Sequence, residues 1–307
     1  MKKVAIIGAG FVGGTTAMRI AESGLAQVVL LDVIENVAKA KVYDLEDARY
    51  SVGLKTRVLG SSDMGLLADS DIVVVTAGLP RKPGMTREDL LAKNSEIMSG
   101  VCQNIARFSH KAIVIVVSNP LDVMTYLAYK KLNFPRNKVF GMGVNLDTAR
   151  FANLISKRLK VDMKLIHALV MGSHGETMLP VPRLSLVKRK PLTKILGADD
   201  IEDLVNRTKQ RGAEIVSLYG SGSAYFGPSA AIFEIVQAIL SGRSKEIPVS
   251  ACLDGEYGLK EVAIGVPARI GKNGIKKIIE IKLEPNEKKL FEESAQAIKD
   301  SIKLLKI

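Results

Sequence analysis

A chain of 307 residues with 47% hydrophobic and 25% charged content is long enough to bury one large core or two modest ones, which excludes a disordered scaffold. Its two cysteines, Cys102 and Cys252, are too few and too far apart for a disulfide framework. The formal charge of +12 raises the question of a polyanionic partner, but the excess is spread over both halves. The clusters Lys188-Arg189-Lys190 and Lys276-Lys277 lack interleaved aromatic residues on which bases would stack, so no nucleic-acid partner is expected.

At the N-terminus, Met1-Lys2-Lys3 leads into Val4-Ala5-Ile6-Ile7-Gly8, an apolar run too short for a secretory segment. No run of eighteen apolar residues follows, so a cytoplasmic protein with no membrane association is expected. The first predicted strand, over 4–7, passes into Gly8-Ala9-Gly10-Phe11-Val12-Gly13 and a helical pattern over 15–23. In such a turn the first glycine permits the bend, the second lets backbone approach a pyrophosphate, and the third allows close packing of helix on strand. A glycine turn of purely structural purpose would look the same. The next predicted strand, over 28–31, ends on Asp32, where a carboxylate can bond both hydroxyls of an adenosine ribose or can cap the following helix. Turn, strand and acid in register point to a dinucleotide. A carboxylate repels a 2′-phosphate and Val33-Ile34 offers no cation to receive one, so NAD is favoured over NADP.

Further strands are predicted over 57–59, 72–75 and 113–117, separated by segments of helical length. Ile72-Val73-Val74-Val75 and Ile113-Val114-Ile115-Val116-Val117 are apolar without alternation, as strands covered on both faces must be. The expected fold is therefore α/β, a Rossmann-type doubly wound parallel sheet, followed by an α+β domain. Between these strands, residues 77–90 form a glycine- and proline-broken loop carrying Arg81, Lys82 and Arg87, suited to a lid over an anion or to a plain solvated loop. Ser118-Asn119-Pro120 ends the last strand, and Asn119 can donate and accept toward a ligand or simply form a turn.

Beyond residue 147 the rhythm changes to longer helices, over 147–159, 201–218, 229–240 and 287–304, with strand signals over 166–170, 248–252 and 261–268. The expected domains are 1–145, binding the dinucleotide, and 146–307, binding substrate; no internal repeat is seen. Of the three histidines, His110 reads as a solvated residue near a helix end and His167 as a strand or core residue. His174 lies in Met171-Gly172-Ser173-His174-Gly175-Glu176-Thr177, whose glycines and polar residues can expose an imidazole at a strand end. Asp147 and Arg150, three apart, share a helix face; one can orient an imidazolium and the other grip a carboxylate, or the two can form a plain ion pair.

Taken in order, the Gly8–Gly13 turn with Asp32, residues 78–90, Val117-Ser118-Asn119-Pro120, Leu146-Asp147-Thr148-Ala149-Arg150 and residues 172–177 resemble the lactate/malate dehydrogenase family, in its lactate-dehydrogenase-like malate dehydrogenase branch, over essentially the whole chain. The resemblance implies a catalytic set of His174 as acid/base, Asp147 as its partner and Arg87 polarising the substrate oxygen. It implies a substrate set of Arg81, Arg87, Asn119 and Arg150, with Arg150 on the C1 carboxylate and Arg81 at the specificity position. It also implies that Gly8, Gly10, Phe11, Val12, Gly13, Asp32, Asn94, Val117 and Asn119 hold NAD, with no metal. Ser221-Gly222-Ser223-Ala224-Tyr225-Phe226-Gly227 resembles the segment closing the other side of the pocket. The implied reaction is reversible hydride transfer between the dicarboxylic acid malate and NAD, as in the tricarboxylic acid cycle, by a homotetramer or dimer. Asn145 and Ser173 depart from the small or apolar residue and the glycine expected at those places, which puts pocket shape in question. A lactate or broad 2-oxo-acid dehydrogenase is the neighbouring reading, and a non-catalytic NAD-sensing regulator is the reading from another class. An NAD-dependent glycosidase would need a metal-binding Cys/His pair, for which Cys102 and Cys252 lack the histidine contexts.

Overall fold

Strands without polar alternation need cover on both faces, and the fold supplies it. The computed structural model describes residues 1–54, 56–80 and 85–305. Its first half comprises β1 (Lys3–Ile7), α1 (Phe11–Ser23), β2 (Gln27–Leu31), α2 (Glu35–Val52), β3 (Val58–Ser61), β4 (Ile72–Val75), α3 (Arg87–Phe108), β5 (Ile113–Val116), α4 (Leu121–Leu132) and β6 (Val139–Gly141). These strands pair in parallel in the order β3-β2-β1-β4-β5-β6, which is a doubly wound sheet whose strand order reverses between β1 and β4. Side chains alternate between its faces. Val4, Ile6, Val28, Leu30, Ile72 and Val74 pack with Ile20 of α1 in one core, while Ala5, Ile7, Val29, Leu31, Val73 and Val75 pack with Met98 and Ile105 of α3 and Met124 of α4 in another.

The second half comprises α5 (Val144–Leu159), β7 (Ile166–His167), β8 (Val170–Gly172), β9 (Met178–Pro180), β10 (Leu186–Val187), β11 (Lys190–Pro191), α6 (Ala198–Tyr219), α7 (Phe226–Ser241), β12 (Lys245–Asp254), β13 (Lys260–Gly271), β14 (Gly274–Ile278) and α8 (Pro285–Lys303). It adds antiparallel strands to the edge of the parallel sheet. β12 pairs with β6, Ala251 opposite Phe140, and then with β13, which carries β8 and β14. Among the described residues one eleven-stranded sheet thus runs through both halves. Ile232 and Ile235 of α7 complete the core beside α1, and Phe291 and Ala295 of α8 complete the core beside α3 and α4.

Several boundaries differ from the sequence-based expectation for local reasons. The single strand expected over 166–170 is split: β7 joins β10 and β11 in a small sheet, and β8 joins the large one. Between them the Leu169 N–H donates to Ser185 Oγ at 3.1 Å and the Val170 N–H to Thr148 Oγ1 at 3.1 Å, so side chains replace the ladder there. His167 lies on β7 as expected but is exposed, not part of the core. α5 begins at Val144, directly after Gly143, whose φ of +48° and close approach to Ser250 (its backbone nitrogen 3.1 Å from a Cβ built there) disfavour a side chain. Among the described residues no helix is long and apolar enough to cross a membrane.

Candidate active site

β1 ends where the chain must turn tightly against the segment leaving β4. Gly8 has φ +107°, and a Cβ on it would sit 2.7 Å from the Ala77 nitrogen; a Cβ on Gly13 would lie 1.9 Å from the Gly8 carbonyl oxygen. Neither position accepts a side chain without the backbone moving. Gly10 is different, because nothing lies within 4 Å of the place a Cβ would take. It caps α1 with no side-chain hydrogen bond, and the first turn holds no acid. Uncapped N–H donors at the positive end of a helix, beneath open space, fit the pyrophosphate of a dinucleotide.

Asp32 directly follows β2, as its spacing predicts, and both its carboxylate oxygens are engaged by backbone. Its Oδ2 accepts from the Ala9 N–H at 2.7 Å and its Oδ1 from the Ile34 N–H at 3.0 Å, so the carboxylate ties the glycine turn to the neighbouring strand end. Val33 and Ile34 beside it are exposed apolar residues. Phe11 is exposed and stacks on Tyr225 with ring centroids 5.3 Å apart, whereas the Val12 side chain packs against the core. Val117 is buried in the same core, so a ligand would meet its backbone. Buried Asn94 gives both amide protons away, to the Leu79 carbonyl at 3.2 Å and the Asn119 carbonyl at 2.8 Å, and accepts from the Leu79 N–H at 2.8 Å. It fastens together the segments that leave β4 and β5 at the cleft.

On α5 the three-residue spacing brings Asp147 and Arg150 together. The fully buried Asp147 accepts from Arg150 Nη1 on Oδ1 at 3.0 Å, and its Oδ2 lies 2.7 Å from His174 Nδ1. Because Nδ1 is engaged, Nε2 is the ring nitrogen left for proton exchange. Burial disfavours the charged imidazole, but the Asp147 carboxylate, with a weaker contribution from Asp122, outweighs burial and the nearby Arg150 and holds the His174 pKa above its usual value. The loop bearing His174 is anchored by its backbone: the Ser173 N–H donates to Ser294 Oγ of α8 at 2.9 Å, and the His174 N–H to Asp122 Oδ2 of α4 at 2.7 Å. Gly172 opens this loop with φ +81°, where a Cβ would meet Ser294 Oγ at 3.1 Å.

His174, Asn119 and Arg87 line one cavity of about 480 Å³, together with Ser173, Asp122 and, from α8, Ile298 and Ser301. Arg87 is the first residue of α3, fixed by a capping box between Thr86 and Asp89, and its exposed guanidinium pairs with Glu176 at 2.9 Å. Arg150 does not line this cavity; its guanidinium runs along α6 at Gly212, where a Cβ would lie 3.5 Å from Nη1. Residues 221–227 span the α6–α7 connection and the first residues of α7; Tyr225 there meets Phe11 and Tyr219, and the segment too is absent from the cavity wall. Arg81 and Lys82 lie outside the described residues. Asn145, a departure from the expected pattern, turns away from His174 and donates to the Ala231 carbonyl at 3.2 Å and to Glu234 Oε2 at 2.9 Å, both on α7. Ser173, the other departure, does line the cavity. His110 is exposed beyond the end of α3, and Cys102 and Cys252 are buried, their thiols pushed up to about 12 by burial.

The family model for the lactate/malate dehydrogenase NAD binding domain matches residues 2–141, and that for the family's alpha/beta C-terminal domain matches residues 144–306. The chain belongs to the lactate/malate dehydrogenase family. A malate dehydrogenase of Methanosarcina barkeri is 43% identical over 307 residues, covering 100% of both chains. The solved structure of the malate dehydrogenase from Salinibacter ruber is 41% identical, with a TM-score of 0.94 over 98% of this chain and 97% of that one. A lactate dehydrogenase from Cryptosporidium parvum, solved with lactic acid and nicotinamide adenine dinucleotide, is 33% identical with a TM-score of 0.95 over 99% and 97%. As a lactate/malate dehydrogenase family member the chain is an NAD-dependent oxidoreductase, and its glycine turn and Asp32 are the features that fit the cofactor. Sequence reasoning overlooked Asp122, Ser250, Ser294 and the contribution of α8 to the cavity. Asp122 carried a signal, since a carboxylate three residues beyond Asn119 in a buried apolar stretch needs a partner.

Proposed function

We propose that this chain interconverts malate and oxaloacetate, with residues 1–145 holding NAD and residues 146–307 supplying most of the substrate chemistry. The observation that carries the reading is the Arg150–Asp147–His174 relay, in which one buried carboxylate fixes both an imidazole and a guanidinium through separate oxygens. Bound NAD supplies the hydride acceptor at the substrate's C2. Neutral His174 takes the hydroxyl proton on Nε2 while Asp147 holds the Nδ1–H tautomer and stabilises the imidazolium that forms. Arg87, released from Glu176, stabilises charge on the reacting oxygen, and Asn119 beside it positions the substrate. Asp147 occupies one donor of Arg150, and the rest of its fork suits the C1 carboxylate once the guanidinium, which here runs along α6 outside the cavity lined by His174, turns toward the substrate. The second carboxylate of the diacid is assigned to Arg81. Asp32, Gly8, Gly10, Gly13 and the backbone at Phe11, Val12 and Val117 hold the cofactor, with Asn94 setting the segments around it.

A cytoplasmic homo-oligomer, tetramer or dimer, belongs to the same proposal. Tyr43 and Tyr50, 62% and 99% exposed on α2, supply apolar surface for a second copy. Solution molar mass would distinguish these states. NADH oxidation with oxaloacetate against pyruvate tests the substrate: faster turnover of oxaloacetate supports the proposal, and a preference for pyruvate makes the chain a lactate dehydrogenase. Lack of turnover with either, in a protein that binds NADH, favours the regulatory reading.

A further inference from the structure

Behind the relay lies a second carboxylate that it does not use. Asp122 stands in the first turn of α4 and is 4% exposed. Its Oδ2 accepts from the His174 backbone N–H at 2.7 Å and its Oδ1 from Ser250 Oγ, on β12, at 2.6 Å. A buried carboxylate is costly unless its oxygens are satisfied, and a leucine or asparagine could fill the space without that cost. Its two hydrogen bonds join α4, β12 and the His174 loop at one point. Asp147 grips the same residue through its ring, so His174 is held by two acids through two different atoms.

We propose that Asp122 is a positioning residue for the acid/base step, fixing the His174 backbone and lending its charge to the imidazolium. This rests on the reading of His174 as the acid/base. Among the described residues, the charged groups that act most strongly on Asp122 are His174 and Asp147, and those on His174 are Asp147, Asp122 and Arg150. Burial raises the Asp122 carboxyl to about 6, the Ser250 and His174 hydrogen bonds opposing that rise, so above that pH its charge is in place. The charge favours protonated His174, the form that reduction of a 2-oxo acid consumes. Rates of reduction therefore fall as pH rises through the His174 pKa, and removing Asp122's charge brings that fall to lower pH.

Asp122→Asn suits the test because the amide keeps the shape. Its oxygen can still accept from the His174 N–H, and its NH₂ can donate to Ser250 Oγ, which then reverses its role. The measurement is kcat/KM for reduction against pH in the full-length protein with NADH, on whichever of oxaloacetate and pyruvate it turns over faster, alongside fluorescence titration of NADH binding. The expected result is unchanged NADH affinity and an alkaline limb displaced downward by about one pH unit. One unit above the wild-type midpoint this amounts to about a tenfold loss. Ser250→Ala, which removes a hydrogen bond that keeps Asp122 ionised, should move the limb the same way by less. A limb unmoved in both variants, even with a lower plateau, would overturn the proposal, because a merely structural role lowers rates without shifting the titration. His174→Asn separates this failure from that of the underlying reading: if it retains wild-type turnover, the acid/base assignment falls and takes the proposal with it.

Discussion

Asp147→Asn removes one buried charge while preserving shape, and the surrounding donors dictate the outcome. Arg150 can only donate, so the new amide must turn its oxygen to Nη1, now 3.0 Å from Oδ1, and present its NH₂ to His174 Nδ1, now 2.7 Å from Oδ2. Nδ1 must then accept, which puts the ring proton on Nε2, where malate oxidation needs a lone pair. The wrong tautomer should lower kcat for oxidation by about 10²–10⁴-fold, the usual contribution of positioned acid/base catalysis. The imidazolium suffers as well, because its Nδ1–H would face another donor. Losing a hydrogen bond to a charged group costs about 1.5–3 kcal/mol, which lowers the His174 pKa by roughly 1–2 units. The assay is the pH dependence of kcat/KM in both directions, with NADH binding followed by fluorescence. An unshifted pH profile, or oxidation within about threefold of wild type, would refute the tautomer argument.

Asp32→Ser should narrow the preference for NADH over NADPH and also raise KM for both, because the Ala9 N–H loses the acceptor that fixes the glycine turn; equal wild-type use of both cofactors would count against the assignment. Arg81→Gln should lower kcat/KM for oxaloacetate at least about tenfold while sparing pyruvate, and a proportional loss on both substrates would assign Arg81 to chemistry common to them. Gly13→Ala places a carbon 1.9 Å from the Gly8 oxygen, so thermal unfolding should show a loss of about 1–3 kcal/mol together with weakened NADH binding. Unchanged stability and affinity would mean that the turn relaxes freely.

The parallel half was legible because each of its long strands is an unbroken apolar run ending in a residue with special backbone or polar character, such as Gly8 or Asp32. β6 escaped notice because three residues, Val139–Gly141, are too few to show a period. β9, β10 and β11 are as short or shorter, two or three residues each, and too brief to show alternation even though β9 pairs with nearby β8 and β10 with β11 and β7. Among candidate site residues, His174, Asp147 and Arg150 are singled out by local context and helical spacing, and the structure brings the three together. The chain separates Asp122 from Ser250 by 128 residues and Ser173 from Ser294 by 121. Local patterns do not encode such juxtapositions, which arise when β12 joins the sheet and α8 packs against it. Asn145 shows the converse: as a departure from a familiar pattern it looked relevant to the pocket, yet its side chain is committed to α7.

The pairing of β6 with β12 has a consequence for how the molecule can be taken apart. Cutting the chain between Gly141 and Val144 would leave each fragment with an interior strand open along one edge and bordered by buried side chains such as Phe140 and Ala251. Such edges recruit other strands, so the separated pieces should self-associate rather than behave as stable modules. A chimera that borrows a foreign nucleotide half must match this seam in register as well as in length. The seam also denies the two halves a hinge, since opening would break main-chain hydrogen bonds in the middle of a sheet. Substrate entry must therefore be accommodated by the connecting segments at the sheet's rim.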